Sequence, residues 1–246
     1  LGIGLSAASA ACINHVVDRH IDAQMNRTRH RPVAEGAIQP IIALTFATFL
    51  GSLGIGLLGV FVNTLTAWLT LLSVIGYAII YTLYLKRATP QNIVIGGVAG
   101  ASPPLLGWAA VTGTIDPNAL LLVAIIFAWT PPHFWALCIA RREEYALVKI
   151  PMLPVTHGVE YTKLQMVLYS IVMVLTTIMP ILTGMCGGIY VFGILVINLR
   201  FMYSVFKTWR SECRLVAMEL FSYSIRYIMW LFLILLIDHF FVISVF

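Results

Sequence analysis

Residues 37–61 read AIQPIIALTFATFLGSLGIGLLGVF, without one charged side chain. A helix needs roughly 20 apolar residues to cross the hydrocarbon of a bilayer, and this stretch has that length. Breaking the rest of the sequence at Pro, Gly and charge clusters predicts further apolar runs on both sides of it. Eight spans result: 1–17, 37–61, 67–85, 92–111, 119–140, 163–183, 188–206 and 223–246. The alternating segments of about 10 residues that mark a membrane β-barrel are absent. Composition agrees, since 60% of the 246 residues are hydrophobic and 10% are charged. Soluble domains carry about a quarter charged residues, so this chain has too little polar surface for water. The expected class is an all-α, polytopic membrane helix bundle, read as one domain over 1–246. Leu1 already lies in an apolar run, with no basic segment or cleavage site before it. It therefore does not read as a signal peptide, and at least one further helix is expected upstream.

All fifteen Lys and Arg fall on one side when eight spans alternate. The opposite loops, 62–66, 112–118 and 185–187, carry none. By the positive-inside rule the basic side is cytoplasmic. The net charge of +5 thus reports topology and contact with anionic lipid, not nucleic acid. Cys12, Cys138, Cys186 and Cys213 form no C-x-x-C pair, which argues against a zinc or disulfide framework.

The chemistry gathers at the basic side. Asn14, Asp18 and Asp22 are spaced i, i+4, i+8, which stacks them along one helix face, with neighbouring Cβ atoms about 5–6 Å apart. Carboxylates so placed can share a divalent cation. Magnesium takes one or two carboxylates together with substrate phosphates and water. Arg19, Arg27, Arg29 and Arg31 flank this face, and guanidinium groups bind phosphate in a bidentate way. A cation-binding acidic face beside arginines suits a diphosphate. The bland alternative is a helix end with snorkelling charges, but carboxylates at a membrane edge are costly and tend to be functional.

The stretch from Asn14 to Pro32, NHVVDRHIDAQMNRTRHRP, resembles the first aspartate-rich motif of the UbiA prenyltransferases, N-x-x-x-D-x-x-x-D. With its trailing R-T-x-x-R-P it is similar to the heme O synthase branch, and the likeness covers essentially the whole chain. Tyr81–Arg87 looks like that branch's tyrosine-led stretch ending in K-R, 96–107 like its G-x-x-x-G-A-x-P-P-x-x-G segment, and Glu144–Pro154 like its E-Y-x-x-x-x-I-P-M-L-P ending. His15 stands where the family often has Asn, His20 where it often has an acidic residue, and Lys149 where it often has a small one. The resemblance implies nine transmembrane helices, the first of which would precede Leu1. It implies farnesyl transfer from farnesyl diphosphate to the vinyl group of heme B, giving heme O for heme A synthesis and oxidase maturation. It also implies a Mg2+ cofactor held by Asn14, Asp18 and Asp22. Arg27, Arg31, Lys86 and Arg87 would balance the diphosphate. The enzyme would be a multi-pass protein of the cell inner membrane with its site facing the cytoplasm. Its further partners would be the lipid bilayer and heme A synthase or terminal oxidase subunits, with no nucleic acid.

Other positions keep two readings. Lys86 and Arg87 either neutralise the leaving group or set topology. Glu143 and Glu144 either hold a second metal or form a surface charge cluster. Pro103 and Pro104 must kink their span. His133 lies inside a span, where an ionisable residue is by default a functional candidate. It could touch a porphyrin propionate, ligate heme iron, or bond a carbonyl freed by Pro131 or Pro132. Trp135 and Tyr145 join it as expected acceptor contacts. Surrounding aromatics either face an allylic cation or simply pack. Two competing functions stay open: a UbiA-type enzyme with another acceptor, 4-hydroxybenzoate or a chlorophyllide, and a transporter. A transporter places its polar groups near the midplane, whereas here they gather at one face.

Overall fold

The computed structural model describes residues 1–241; the last expected span, 223–246, runs into residues outside that range. All regular structure among the described residues is helical. In chain order it comprises α1 Gly2–Val17, α2 Arg19–Asp22, α3 Pro40–Phe61, α4 Thr64–Ile75, a π-helical stretch Gly76–Leu85 and α5 Lys86–Ala88. Then follow α6 Asn92–Gly100, α7 Pro103–Thr112, α8 Pro117–Ala140, α9 Arg142–Leu147, α10 Leu153–Thr156, α11 Val159–Leu182, α12 Gly188–Trp209 and α13 Arg214–Phe240. Seven helical segments among these residues are long and apolar enough to cross a membrane, while α1 is apolar but shorter, at 16 residues. Phe46, Phe49, Val60, Trp68, Leu72 and Leu199 are exposed on their outer faces. Side chains of this kind belong against lipid, and the chain is a multi-pass membrane protein.

The expected spans sit where the helices are, with instructive differences. Asn63 caps α4, its Oδ1 accepting from Thr66 N at 2.8 Å, so that span starts at Thr64 and not at 67. The kink expected at Pro103 is a full break after Gly100. Pro103 then takes the first turn of α7, where its missing donor costs nothing. Lys163 does not mark a helix start, because α11 begins at Val159 and Glu160 accepts from Lys163 Nζ at 2.7 Å one turn away. The largest difference is α13, which begins at Arg214 instead of 223. Its charges had read as loop. They lie on exposed positions of the helix, and Glu219 there pairs across to Lys207 of α12 at 2.6 Å.

The described residues divide into two compact units. One holds Leu1–Ala119 and Glu143–Pro151, the other Leu120–Arg142 and the chain from Met152 on. In the first unit α1 packs on α3 through small residues. Ser9 Oγ donates to Ala47 O at 2.7 Å and Cys12 Sγ to Ala43 O at 3.2 Å. A Cβ on Gly54 would stand 2.6 Å from Ser6 Oγ and 2.7 Å from Gly2 O. Such close backbone approach is how membrane helices gain packing where burial of apolar surface gives no net drive. In the second unit α12 packs against both α11 and α13 around a buried polar chain. Tyr227 Oη donates to Asn198 Oδ1 at 2.6 Å, and Asn198 Nδ2 to Thr177 Oγ1 at 2.9 Å. Asp238 of α13 is buried and accepts from Gly187 N at 2.7 Å and Tyr190 N at 2.9 Å, supplying the cap that the start of α12 lacks in its own side chains.

Candidate active site

The acidic face forms at the end of α1. Asp18 interrupts that helix with φ −88° and ψ 2°, and α2 resumes at Arg19. The expected single helix is therefore broken, but the backbone keeps its four-residue step. Asp18 N donates to Asn14 O at 2.9 Å and Asp22 N to Asp18 O at 2.8 Å. Asn14, Asp18 and Asp22 thus keep their spacing through the break. Both carboxylates are nearly sealed from solvent, Asp18 at 1% exposure and Asp22 at 4%. An unpaired carboxylate there would carry a heavy desolvation cost, and basic side chains meet it. Lys86 Nζ lies 2.5 Å from Asp18 Oδ2, Arg87 Nη2 lies 3.8 Å from Asp18 Oδ1, and Arg31 Nη1 donates to Asp22 Oδ2 at 2.7 Å. Arg27 is exposed and makes no hydrogen bond or ion pair among the described residues.

Two residues that the sequence reading passed over complete the cluster. Thr28 is buried and its hydroxyl donates to Asp22 O at 3.2 Å, which holds the loop carrying Arg31. Thr82, on the π-helical stretch, accepts from Asn14 Nδ2 at 3.3 Å and donates to Tyr77 O, five residues back, at 2.8 Å. Asn14 Nδ2 also donates to Asp18 Oδ2 at 3.1 Å. The backbone here is π-helical, with Lys86 N donating to Tyr81 O five residues back, and π segments often sit at functional sites. It brings Thr82 to Asn14, while Lys86, one turn on, reaches Asp18. Gly96 of α6 allows this, because a Cβ there would run into the Tyr81 ring.

Asp18 Oδ1 is buried and has no hydrogen bond among the described residues, with only the longer ion pair to Arg87 at 3.8 Å. It is a hard oxygen beside the Asn14 amide, the donor type that magnesium prefers. Three or more His, Cys, Asp or Glu do not come together anywhere among the described residues, so a cation here would need further ligands from a bound phosphate. Glu143 and Glu144 lie on α9 in the same unit, and neither is free. Lys149, which follows α9, has φ +53°, a left-handed conformation that strains a side chain and favours glycine.

The expected acceptor residues divide. Tyr145 is buried in the first unit. His133 and Trp135 lie on α8 in the second. His133 is 7% exposed and stacks between Trp129 and Phe221, with centroids 4.3 Å and 4.6 Å away. Its Nδ1 lies 2.6 Å from Ser224 Oγ, not on a carbonyl freed by a proline. Ser224 spends its one proton on Phe221 O at 2.6 Å. The imidazole is then the donor in the contact with Ser224, so Nδ1 carries the proton and Nε2 keeps its lone pair. Trp135 meets Tyr169 edge-on at 5.3 Å, and its buried indole N–H has no partner among the described residues.

These observations meet known proteins at several points. The model of the UbiA prenyltransferase family matches residues 1–240, spanning both units. A curated protein of Marinobacter nauticus named protoheme IX farnesyltransferase is 60% identical over 240 residues, covering 98% of this chain and 80% of that protein. Among solved structures, one of a digeranylgeranylglyceryl phosphate synthase has TM-score 0.79 at 18% identity, covering 95% of this chain and 81% of its own. A UbiA homolog from Archaeoglobus fulgidus bound to GPP and Mg2+ has TM-score 0.60 at 16% identity, covering 95% and 87%. At such identities the two structures speak to the fold alone. The family match along nearly the whole chain, joined to the carboxylates at the end of α1, makes this chain a member of the UbiA prenyltransferase family.

Proposed function

We propose that the chain transfers a farnesyl group from farnesyl diphosphate to the vinyl group of heme B, giving the hydroxyethylfarnesyl side chain of heme O. The observation that carries the donor half is the buried pair Asp18 and Asp22, each matched by a basic side chain. The acceptor half rests on the 60% identity to a protein named protoheme IX farnesyltransferase.

In the free protein Lys86 and Arg31 neutralise the two carboxylates. An arriving diphosphate offers them a stronger partner, since guanidinium and phosphate pair in a bidentate way. Asn14, Asp18 and Asp22 would then hold magnesium, which when bound screens the phosphate charge and stabilises the leaving group. Arg31, Lys86 and Arg87, with Arg27 drawn in from its exposed position, face the charge that grows as the C–O bond breaks. Donors aimed at developing charge in a dry site supply the largest part of many rate enhancements. The bond breaks toward diphosphate and leaves an allylic cation. The π electrons of a heme B vinyl group form the new C–C bond. Water adds to the resulting cation beside the ring and loses a proton, which balances the reaction with diphosphate released. Apolar walls keep water from the farnesyl cation until that bond has formed. His133, Trp135 and Tyr145 are the acceptor contacts in this reading.

The test is incubation of membranes holding this chain with heme B, farnesyl diphosphate and magnesium, then mass analysis of the extracted hemes. Heme O should appear, and a chelator should abolish it. Prenylation of 4-hydroxybenzoate with no change in heme would overturn the assignment.

A further inference from the structure

The sequence reading treated the basic residues around 200–226 as a topological signal at a loop. The structure instead puts all but Arg210 inside helices, two of them far from the helix ends. Arg200 lies nine residues before the end of α12 and Arg226 twelve residues after the start of α13. At a rise of 1.5 Å per residue, these are depths of roughly 13 Å and 18 Å from the α12–α13 turn. Guanidinium groups that far along apolar spans are expensive and normally meet an anion. Among the described residues neither has a carboxylate partner. Arg200 stands over the rings of Tyr203 and Tyr223, at 5.4 Å and 5.0 Å, and donates to Ser204 Oγ at 2.7 Å. Arg226 stands over the same Tyr223 ring at 5.8 Å. Two cations thus share one aromatic ring with no counterion between them.

They open onto a cavity of 610 Å³ between α12 and α13, which Lys207 and Glu219 also line. Glu219 is already spent on Lys207 at 2.6 Å, so two positive charges remain uncompensated in the lining. In the same lining Tyr203 and Leu215 are exposed. A cationic cup with exposed apolar side chains in its lining, between two helices long enough to span a membrane, has the form of an amphiphile site. Basic pockets between transmembrane helices bind anionic head groups in this way.

We propose that the cavity between α12 and α13 binds the phosphate head group of an anionic phospholipid. Free diphosphate and the heme propionates share the oxyanion chemistry, but exposed Tyr203 and Leu215 at the site favour a lipid. The proposal does not depend on the farnesyl transfer reaction. The full chain, purified and delipidated in detergent, would be titrated with dioleoyl phosphatidylglycerol and with dioleoyl phosphatidylcholine, reading bound lipid by native mass spectrometry. The anionic lipid should bind roughly thirtyfold more tightly, on the order of 1 kcal/mol for each of two arginines. Arg200→Gln with Arg226→Gln should bring the ratio near one. A wild-type ratio near one overturns the proposal and needs no variant to fold. So does a preference that survives the double substitution. Displacement of bound phosphatidylglycerol by inorganic diphosphate or by heme B would give the cavity to a substrate and equally overturn it.

Discussion

Asp18 holds its two oxygens in different surroundings, one bonded to Lys86 and Asn14, the other without a hydrogen bond among the described residues. Asp18→Asn keeps the shape and removes the charge that both Lys86 and a cation would use. Heme O formation should fall by about a hundredfold or more, and full turnover in the variant would remove Asp18 from the mechanism. The spacing of Asn14, Asp18 and Asp22 was legible because a four-residue step is local. The partner of His133 was not, because Ser224 lies 91 residues away. Ser224→Ala should release the imidazole from its Nδ1–H form. If His133 contacts the acceptor, the KM for heme B should rise several-fold while that for farnesyl diphosphate stays put. An unchanged heme KM together with a lowered Tm would leave His133 a packing residue. Lys149 is a milder case. Its left-handed φ explains why a small residue suits the position, and Lys149→Gly should be neutral or stabilise by up to about 1 kcal/mol, read as Tm in detergent.

Helix boundaries were legible at Phe61, Asn92, Ala140 and Gly188, whereas the starts expected at 37 and 67 lie at Pro40 and Thr64. They were misplaced where charge lies along a helix, as in α13. No local signal separates a π-helical step from an α-helical one, so the stretch Gly76–Leu85 and its use of Thr82 could not be read from sequence. Contacts between helices were equally hidden. Gly54 and Gly56 look alike in the sequence, yet a Cβ on Gly54 meets Ser6 and the Gly2 carbonyl, whereas one on Gly56 meets nothing within 4 Å. Gly54→Val should therefore force α1 off α3 and cost about 1–3 kcal/mol, the usual range for overpacking. Gly56→Ala should be neutral or gain up to about 1 kcal/mol from helix propensity. Thermal unfolding of the two variants side by side checks this, and equal Tm values would contradict the packing described for α1 and α3.

Across the whole molecule, the distribution of charge argues an orientation that the coordinates alone do not. Basic residues crowd the segments after α1, after the π-helical stretch, after α8 and after α12, while residues 62–63, 113–116 and 183–187 carry no Lys or Arg. If each crossing reverses the side, the basic segments share one, and by the positive-inside rule we expect it to face the cytoplasm. Arg200 and Arg226 lie within helices and drop out of this count, but the alternation survives without them. Orientation also decides which face receives the substrates, because Asp18, Asp22, Lys86 and Arg31 sit at the basic end. Gln24 and Val148 belong to two of the basic segments of the first unit, and Thr114 is an exposed residue of an opposite one. In a background without native cysteines, Gln24→Cys and Val148→Cys should resist an impermeant maleimide in intact cells, and Thr114→Cys should react. Cys186 is a poor outside reporter despite its loop position. Burial and the nearby Asp238 carboxylate push its thiol up to about 12, so the reactive thiolate is scarce at any pH a cell tolerates. Exposed Cys213 must be replaced because it lies in a basic segment and would react once cells are broken. Ready labelling at Gln24→Cys or Val148→Cys in intact cells, or protection of Thr114→Cys, would invert the expected orientation and put the proposed diphosphate site on the wrong side of the membrane for a cytoplasmic substrate.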